Sequence, residues 1–267
     1  MRVALKIAYD GSSFHGHQRQ PTHRTVEGEC LAALKAARIL RDPKEAFFRS
    51  ASRTDRGVSA VANVIAFNAT LPPEAVVGAF NDKAGDVWAW AVARVPDAFH
   101  PRHALERWYR YHLFQEVSLP RLRKAADEFV GEHDFRSFSA EPSTRPMVID
   151  SIGVSSSDGV VQVDVRAASF RRGMVRRIVA GMLAVDHGEA TLEEIRAALR
   201  GTKRDFGCAP PEPLVLMDVR YDFEFNVVLK PKVRDEWRGL ADQAEFRRRF
   251  LGYLRRAAKD VEAGESL

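Results

Sequence analysis

The chain has 267 residues, of which 45% are apolar and 29% charged, a composition that supports one large globular domain or two smaller ones. Its net charge of +5 favours an anionic partner such as nucleic acid, but charge alone fits a basic protein without one as well. Two distant cysteines, Cys30 and Cys208, exclude a disulfide framework, and no apolar run is long enough to span a bilayer. No clustered metal ligands and no glycine-rich phosphate-binding motif occur. We therefore expect a cytoplasmic protein without a membrane anchor, a metal ion or a cofactor.

The first half of the chain is predicted to alternate between strands and helices. Apolar and polar residues alternate from Val3 to Tyr9, which predicts a strand that ends in a turn at Asp10-Gly11. Thr25 is a suitable N-cap for a helix, and acidic residues follow it in the first turn. The other elements predicted here are a strand at 61–67, a short helix from Leu71 to Phe80 and a strand at 87–95.

The second half repeats this order of elements. The predicted strands are 108–114, 149–154, 160–165 and 214–221, with a hairpin turn at 157–159. Three helices are predicted: one from Pro120 to its end at Gly131, one from Met174 to Val185, and one that begins at a capping box of Thr191 and Glu194 and ends at Gly201.

This order predicts an α+β fold, in which two ferredoxin-like or RRM-like halves form a mixed, mainly antiparallel central sheet flanked by helices and loops. We place the halves at 1–106 and 107–225, followed by a basic, helical extension at 226–267. In that extension a helical pattern covers Val233 to Ala263 and is rich in arginine. It fits a solvated helix face, and the alternative is an arm that contacts an RNA backbone.

The stretch RSASRTDRGVSA (49–60) holds one carboxylate, Asp55, among three arginines and small residues. Asp followed two positions later by Gly is a common turn, so the stretch fits a loop without a catalytic role. A neighbouring guanidinium such as that of Arg53 favours an ionised carboxylate, which can act as a nucleophile or a base. The residues of this stretch alone leave both interpretations open.

The segment ERWYRYHLF (106–114) is predicted to be a strand with Arg107, Tyr109 and Tyr111 on one face. Aromatic and guanidinium groups on one face suit a stacked, unpaired base that is flanked by phosphates. An amphipathic edge strand without a ligand has the same pattern, so this segment also has two interpretations.

The segment SFRRGMVRRIVAGML (169–183) predicts a helix with an apolar face and four arginines around its start. Cations at a helix N-terminus are unfavourable by roughly 0.5 kcal/mol each, so a nearby anion would explain their placement. We take Arg172 and Arg176 as candidate contacts of that anion, which is either an RNA phosphate or a carboxylate such as Asp55.

Together these segments resemble the TruA family of tRNA pseudouridine synthases, from the first strand to about Tyr221. Five motifs occur in the family's order, and the ordered set is far more specific than any one motif. They are YDGSSFHGHQRQ (9–20), SRTDRGVSA (52–60), ERWYRYHLF (106–114), GEHDFRSFS (131–139) and SFRRGMVRRIVAGML (169–183).

The resemblance implies a role for each matching residue. Asp55 corresponds to the family's nucleophilic aspartate, and Tyr109 to the tyrosine that stacks on the target base. Arg53 and Arg176 correspond to the arginines that hold the aspartate and the flipped nucleotide. Apolar residues near the family's pocket correspond to Leu214 and Leu216.

The resemblance also implies a reaction and partners. The expected reaction isomerises uridine to pseudouridine in the anticodon stem-loop of tRNA, around positions 38–40, with base flipping and without a cofactor or metal. The expected enzyme is a homodimer that binds the anticodon arm. The family match does not decide whether the aspartate attacks the sugar or the base.

Three positions depart from the commonest family pattern, since His17 replaces a tryptophan, Arg56 an alanine and Ser59 a histidine. The last two are similar to the archaeal and eukaryotic branches. Two other classes are the alternatives: an RNA-binding module without catalysis, and an aspartate-dependent glycosidase or nuclease. The latter requires a second carboxylate or a metal set, and neither occurs beside these motifs.

Overall fold

The computed structural model describes residues 1–141 and 143–262, with backbone only over 257–262. The chain divides into two compact units, Met1–Val228 and a second that begins at Leu229. The second unit contains the helix α6 (Pro231–Glu262). Ala263, the predicted end of that helix, lies outside the described residues, and the predicted boundaries at 106 and 225 stay predictions.

Strands of the first unit form one large sheet and one small one. In chain order the strands are β1 (Arg2–Tyr9), β2 (Arg49–Ser50), β3 (Ser59–Asn68), β4 (Val87–Val95), β5 (Glu106–Leu113), β6 (Gly131–His133), β7 (Met147–Ile149), β8 (Ser151–Ser157), β9 (Val160–Ala167), β10 (Leu214–Arg220) and β11 (Asn226–Val227). The large sheet has the order β11-β4-β1-β3-β10-β5-β9-β8, with β2 paired to β3, while β6 and β7 pair with each other.

One parallel strand pair, β3 with β10, lies in the middle of the large sheet. β10 pairs parallel with β3 and antiparallel with β5, and the other strand pairs of the described sheet are antiparallel. In this register Leu216 lies beside Ala60 of β3 and Tyr109 of β5. The start of β3, which follows the Asp55 loop, is therefore held one strand away from the tyrosine strand.

The helices of the first unit cover the sheet and begin at the residues that their sequences favour. They are α1 (Val26–Ala36), α2 (Pro73–Asn81), α3 (Leu119–Asp127), α4 (Met174–Asp186) and α5 (Leu192–Leu199). The Thr25 side chain caps α1, and Thr191 and Glu194 form the predicted capping box of α5. The α+β class, with its mainly antiparallel sheet and flanking helices, is confirmed.

Two predicted boundaries are wrong. The helix predicted to continue to Gly131 ends at Asp127, because Val130 is exposed instead of facing the core and Gly131 has a φ of +104°. The strand predicted at 149–154 is two strands: β7 pairs with β6, and β8 pairs with β9. The hairpin turn between β8 and β9 is confirmed, with positive φ at Asp158 and Gly159.

Gly11 places the end of β1 directly against the Asp55 loop. A Cβ atom at this position would lie 2.3 Å from the carbonyl carbon of Val58. The Gly11 amide donates a hydrogen bond of 3.0 Å to Ser59 Oγ, which gives this serine a structural role. Ser59, which departs from the common family pattern, thus joins the end of β1 to the start of β3.

Candidate active site

A basic cleft of about 1160 Å³ collects the segments singled out by the sequence. Among the residues that line it are eight arginines and three carboxylates. The arginines are Arg49, Arg53, Arg56, Arg102, Arg107, Arg171, Arg172 and Arg176, and the carboxylates are Glu27, Asp55 and Glu141. The cleft is larger than a nucleoside needs and has the charge that a nucleic-acid backbone requires.

An ion pair between Asp55 and Arg176 lies in this cleft. Arg176 Nη1 donates a hydrogen bond of 3.0 Å to Asp55 Oδ2, and Arg176 Nε donates one of 2.7 Å to the carbonyl oxygen of Ala209. The guanidinium is therefore oriented from two sides. The Asp55 side chain retains 31% of its accessible surface, so a substrate can reach the carboxylate.

This ion pair explains how one of the four arginines is tolerated at the start of α4, where a cation is otherwise unfavourable. Gly173 precedes the helix with a φ of +70°, and Arg176 lies in the first turn. The carboxylate of Asp55 supplies the anion that the sequence predicted for this position. Arg172 is exposed on the wall of the cleft, where its guanidinium is open to solvent.

Buried polar side chains hold the loop that carries Asp55. Asn63, which is fully buried in β3, donates to the carbonyl oxygen of Ser52 and accepts from the Ser52 amide. The Tyr9 hydroxyl is 2.9 Å from Thr54 Oγ1, and the His17 amide donates to the carbonyl oxygen of Thr54. The backbone on the N-terminal side of Asp55 is therefore fixed before any ligand arrives.

Arg107 joins this loop to two others. It is buried, and it donates to Ser52 Oγ and to three carbonyl oxygens, those of Ala51, Arg102 and Ala168. No ion pair to a carboxylate is found for it within residues 1–141 and 143–262, and burial lowers its pKa. Arg107 thus ties the Asp55 loop to the segment that leads from β9 into α4.

Tyr109, on the same strand as Arg107, lines the cleft. Its ring packs edge-to-face on Phe170 at 5.2 Å, and burial raises its pKa to about 12. Tyr111, two residues on, is also buried, but its hydroxyl donates to the carbonyl oxygen of Pro210. Tyr111 therefore supports the loop before β10 and does not line the cleft.

The remaining predicted site residues differ in their access to the cleft. Leu214, the first residue of β10, lines it, whereas Leu216 is fully buried below it. Arg53 is an exposed side chain of the cleft, and no hydrogen bond or ion pair joins it to another described residue. The sequence offered Arg53 or another cation as the neighbour of Asp55, and in the structure Asp55 pairs with Arg176.

Sequence analysis assigned no role to Asn63, and it indicated Arg107 as a group for an RNA ligand and not as the buried support that the structure shows. Asn63 is a polar residue inside the apolar run 61–67, and Arg107 lies on the same strand face as Tyr109. These irregularities were the available signals, because a polar residue on a buried strand face requires hydrogen-bond partners.

Comparison with known proteins identifies the family. A family model described as tRNA pseudouridine synthase matches residues 125–222. The tRNA pseudouridine synthase A of Thermococcus sibiricus is 41% identical over 266 residues, which are 97% of either chain. That of Methanococcoides burtonii is 42% identical over 83% of either chain. The chain belongs to the tRNA pseudouridine synthase A family. It is therefore a member of an isomerase family.

A solved structure gives a weaker match. A chain in the crystal structure of a Cbf5-Nop10-Gar1 complex is 12% identical, with a TM-score of 0.33 over 81% of this chain and 47% of that one. This similarity is too low to support an argument about either the fold or the function.

His17, which replaces the tryptophan of the common family pattern, is a buried histidine behind the Asp55 loop. The residue is 1% exposed, its Nε2 atom has no hydrogen-bond partner among the described residues, and burial lowers its pKa to about 4. The imidazole is therefore neutral at physiological pH. It fills space beside Tyr9 without adding charge to the site.

Two further properties concern the described residues as a whole. Within them, no group of three or more His, Cys, Asp or Glu side chains is arranged to hold a metal ion. No helix there has the length and apolar composition needed to cross a membrane.

Arg107→Met removes the donor for four acceptors and is expected to lower the free energy of unfolding by about 3 kcal/mol. Arg110→Met is the matched control, because Arg110 lies on the same strand and binds the partly exposed Asp164. The control is expected to lose about 1 kcal/mol. Urea unfolding followed by circular dichroism measures the free energy of unfolding of both variants. Equal losses would contradict a stabilising role of the four hydrogen bonds of Arg107.

His17 makes stability depend on pH. Because its pKa is lowered in the folded chain, the stabilisation is complete above about pH 6.5 and is lost as the pH falls toward 4. Wild-type protein should lose about 2 kcal/mol from this residue between pH 7 and pH 5. His17→Gln should remove that part of the loss in urea unfolding, and His103→Gln, at an exposed position, should not. An unchanged pH dependence in His17→Gln would show that the histidine is not buried in the neutral form.

Proposed function

We propose that the protein converts uridine to pseudouridine in the anticodon stem-loop of tRNA, around positions 38–40, with Asp55 as the nucleophile and the target base flipped out of the RNA. The observation that supports this most strongly is the Asp55–Arg176 ion pair in a basic cleft beside Tyr109. It joins an accessible carboxylate, a fixed guanidinium and an aromatic ring.

The carboxylate is prepared for nucleophilic attack. Arg176 holds one oxygen of the carboxylate by a hydrogen bond, so the other oxygen is available to the reacting carbon. In the proposed reaction the bond between N1 of uracil and C1′ of the ribose breaks, the base turns, and C5 bonds to C1′. N1 gains a proton and C5 loses one, so no atoms are gained or lost and no redox partner is needed. Attack of Asp55 on the sugar and attack on the base both start from this position.

Tyr109 acts by stacking in this proposal. Because burial raises its pKa to about 12, the hydroxyl keeps its proton at neutral pH and is a poor base for the C5 proton. An aromatic ring with a neutral hydroxyl on the cleft wall suits an unstacked base. Leu214 and Val175 add apolar surface to the same cleft and would keep water from the detached sugar.

The exposed arginines of the cleft have the chemistry to bind the RNA backbone around the flipped base. Arg53, Arg56 and Arg172 line the cleft with exposed side chains, and phosphate contacts by such groups fix the register of a nucleic acid. Such contacts offset the few kcal/mol that unstacking of the base takes. The choice of the anticodon arm rests on the family resemblance, as do a homodimeric enzyme and a cytoplasmic location.

Asp55→Asn tests the nucleophile. The amide keeps the shape of the carboxylate but cannot attack, so pseudouridine formation should fall by at least about 1000-fold. Carbodiimide-based mapping on an unmodified tRNA transcript gives the readout. Asp205→Asn is the matched control, because Asp205 pairs with the next arginine of α4, Arg177, but is exposed.

The control should form pseudouridine at the wild-type rate, and Asp55→Asn should still bind tRNA. Asp55→Asn with wild-type activity would remove Asp55 as the nucleophile. Pseudouridine formed by the wild type only outside positions 38–40 would overturn the proposed target.

A further inference from the structure

The C-terminal part of α6 carries a concentrated positive charge. Residues 246–256 include five arginines and no acidic residue. Arg248 and Arg249 pair with Glu245, one turn earlier. No ion pair joins Arg247, Arg255 or Arg256 to another residue whose side chain is described. Among the described side chains, these three guanidinium groups therefore have no carboxylate partner.

Aromatic rings form a stripe along the same segment. Phe246, Phe250 and Tyr253 follow one another at helical spacing and therefore share one face of α6. They are 69%, 47% and 54% exposed. The rings of Phe246 and Phe250 stack at 6.4 Å, and the Arg256 guanidinium lies 5.1 Å from the Tyr253 ring. Helical spacing places Arg247 on one side of the stripe and Arg256 on the other.

We infer that this basic aromatic face of α6, formed by Phe246, Arg247, Phe250, Tyr253 and Arg256, is a second contact surface for tRNA. The inference rests on the proposed function, which makes tRNA the substrate. Residues 246–256 span about 15 Å of helix, a length that covers two or three phosphates of an RNA strand. The arginines bind phosphates on either side, and the rings pack on sugars or unpaired bases between them.

Charge complementarity favours RNA over the other occupants. A second copy of the same face would bring two arginine tracts together, and their repulsion would oppose pairing. A polyanion instead gains from every arginine through counterion release. Exposed aromatic rings alone would suit a protein or a lipid, but the rings here are bordered by guanidinium groups, the combination that binds nucleic-acid strands.

Binding of an unmodified tRNA transcript to the full-length protein tests this surface. Kd is measured by fluorescence anisotropy at several salt concentrations between 50 and 200 mM KCl. Arg247→Gln/Arg256→Gln should raise Kd about tenfold at 100 mM salt and reduce the slope of log Kd against log salt by about 1.5 to 2. Phe246→Ala/Phe250→Ala should raise Kd and leave the slope unchanged, because stacking releases no counterions.

The matched control is Arg41→Gln/Arg94→Gln, which removes the same charge at two exposed arginines that do not line the cleft. Its Kd and slope should be those of the wild type. An equal effect in the control would show that net charge alone is measured, and would overturn the inference. Wild-type values in both α6 variants would also overturn it.

Anionic vesicles of phosphatidylserine and phosphatidylcholine separate RNA from lipid. Vesicle binding that is lost in Arg247→Gln/Arg256→Gln while tRNA affinity is unchanged would assign the face to a membrane and overturn the inference. The proposed function has its own readout: a wild-type protein that binds tRNA through α6 but makes no pseudouridine would refute the reaction and leave the binding surface intact.

Discussion

Asp55 and Arg176 are 121 residues apart in the chain, and the rest of the candidate active site is arranged around their contact. Alone, Asp55 is a turn residue and Arg176 is an unfavourable cation at a helix N-terminus. Paired, they supply an oriented carboxylate and a guanidinium whose charge is already balanced. The pair is partly open to solvent, so it contributes little to stability.

The architecture brings these two residues together through strand order. β10 lies between β3 and β5, so the strand that follows the Asp55 loop and the strand that carries Tyr109 are fixed relative to one another. Arg107 then connects the Asp55 loop to the segment that enters α4, where Arg176 resides. Buried hydrogen bonds of this kind are exchanged for water in the unfolded chain, and their main effect is geometric precision.

Much of the fold and part of the candidate site could be predicted from the sequence, because the patterns that indicate them are local. The strand pattern at 3–9, the capping box at Thr191 and the RTD loop each depend on neighbouring residues only. Spacing alone could not decide between Arg53 and Arg176 as the partner of Asp55, and only the folded chain shows the contact with Arg176. The four acceptors of Arg107 come from separate loops, and only the folded chain brings them together. The end of α3 was mispredicted because Val130 continues the apolar pattern but is exposed.

The role of Asp55 is best tested by a crystal structure of the protein bound to an anticodon stem-loop that carries 5-fluorouridine at the target position. The account predicts a flipped base stacked on Tyr109, with C1′ or C6 of that nucleotide in contact with an Asp55 oxygen and with Arg176 still paired to the other. A base that stays stacked in the RNA, or one bound more than about 6 Å from Asp55, beyond the reach of a reacting pair, would contradict it.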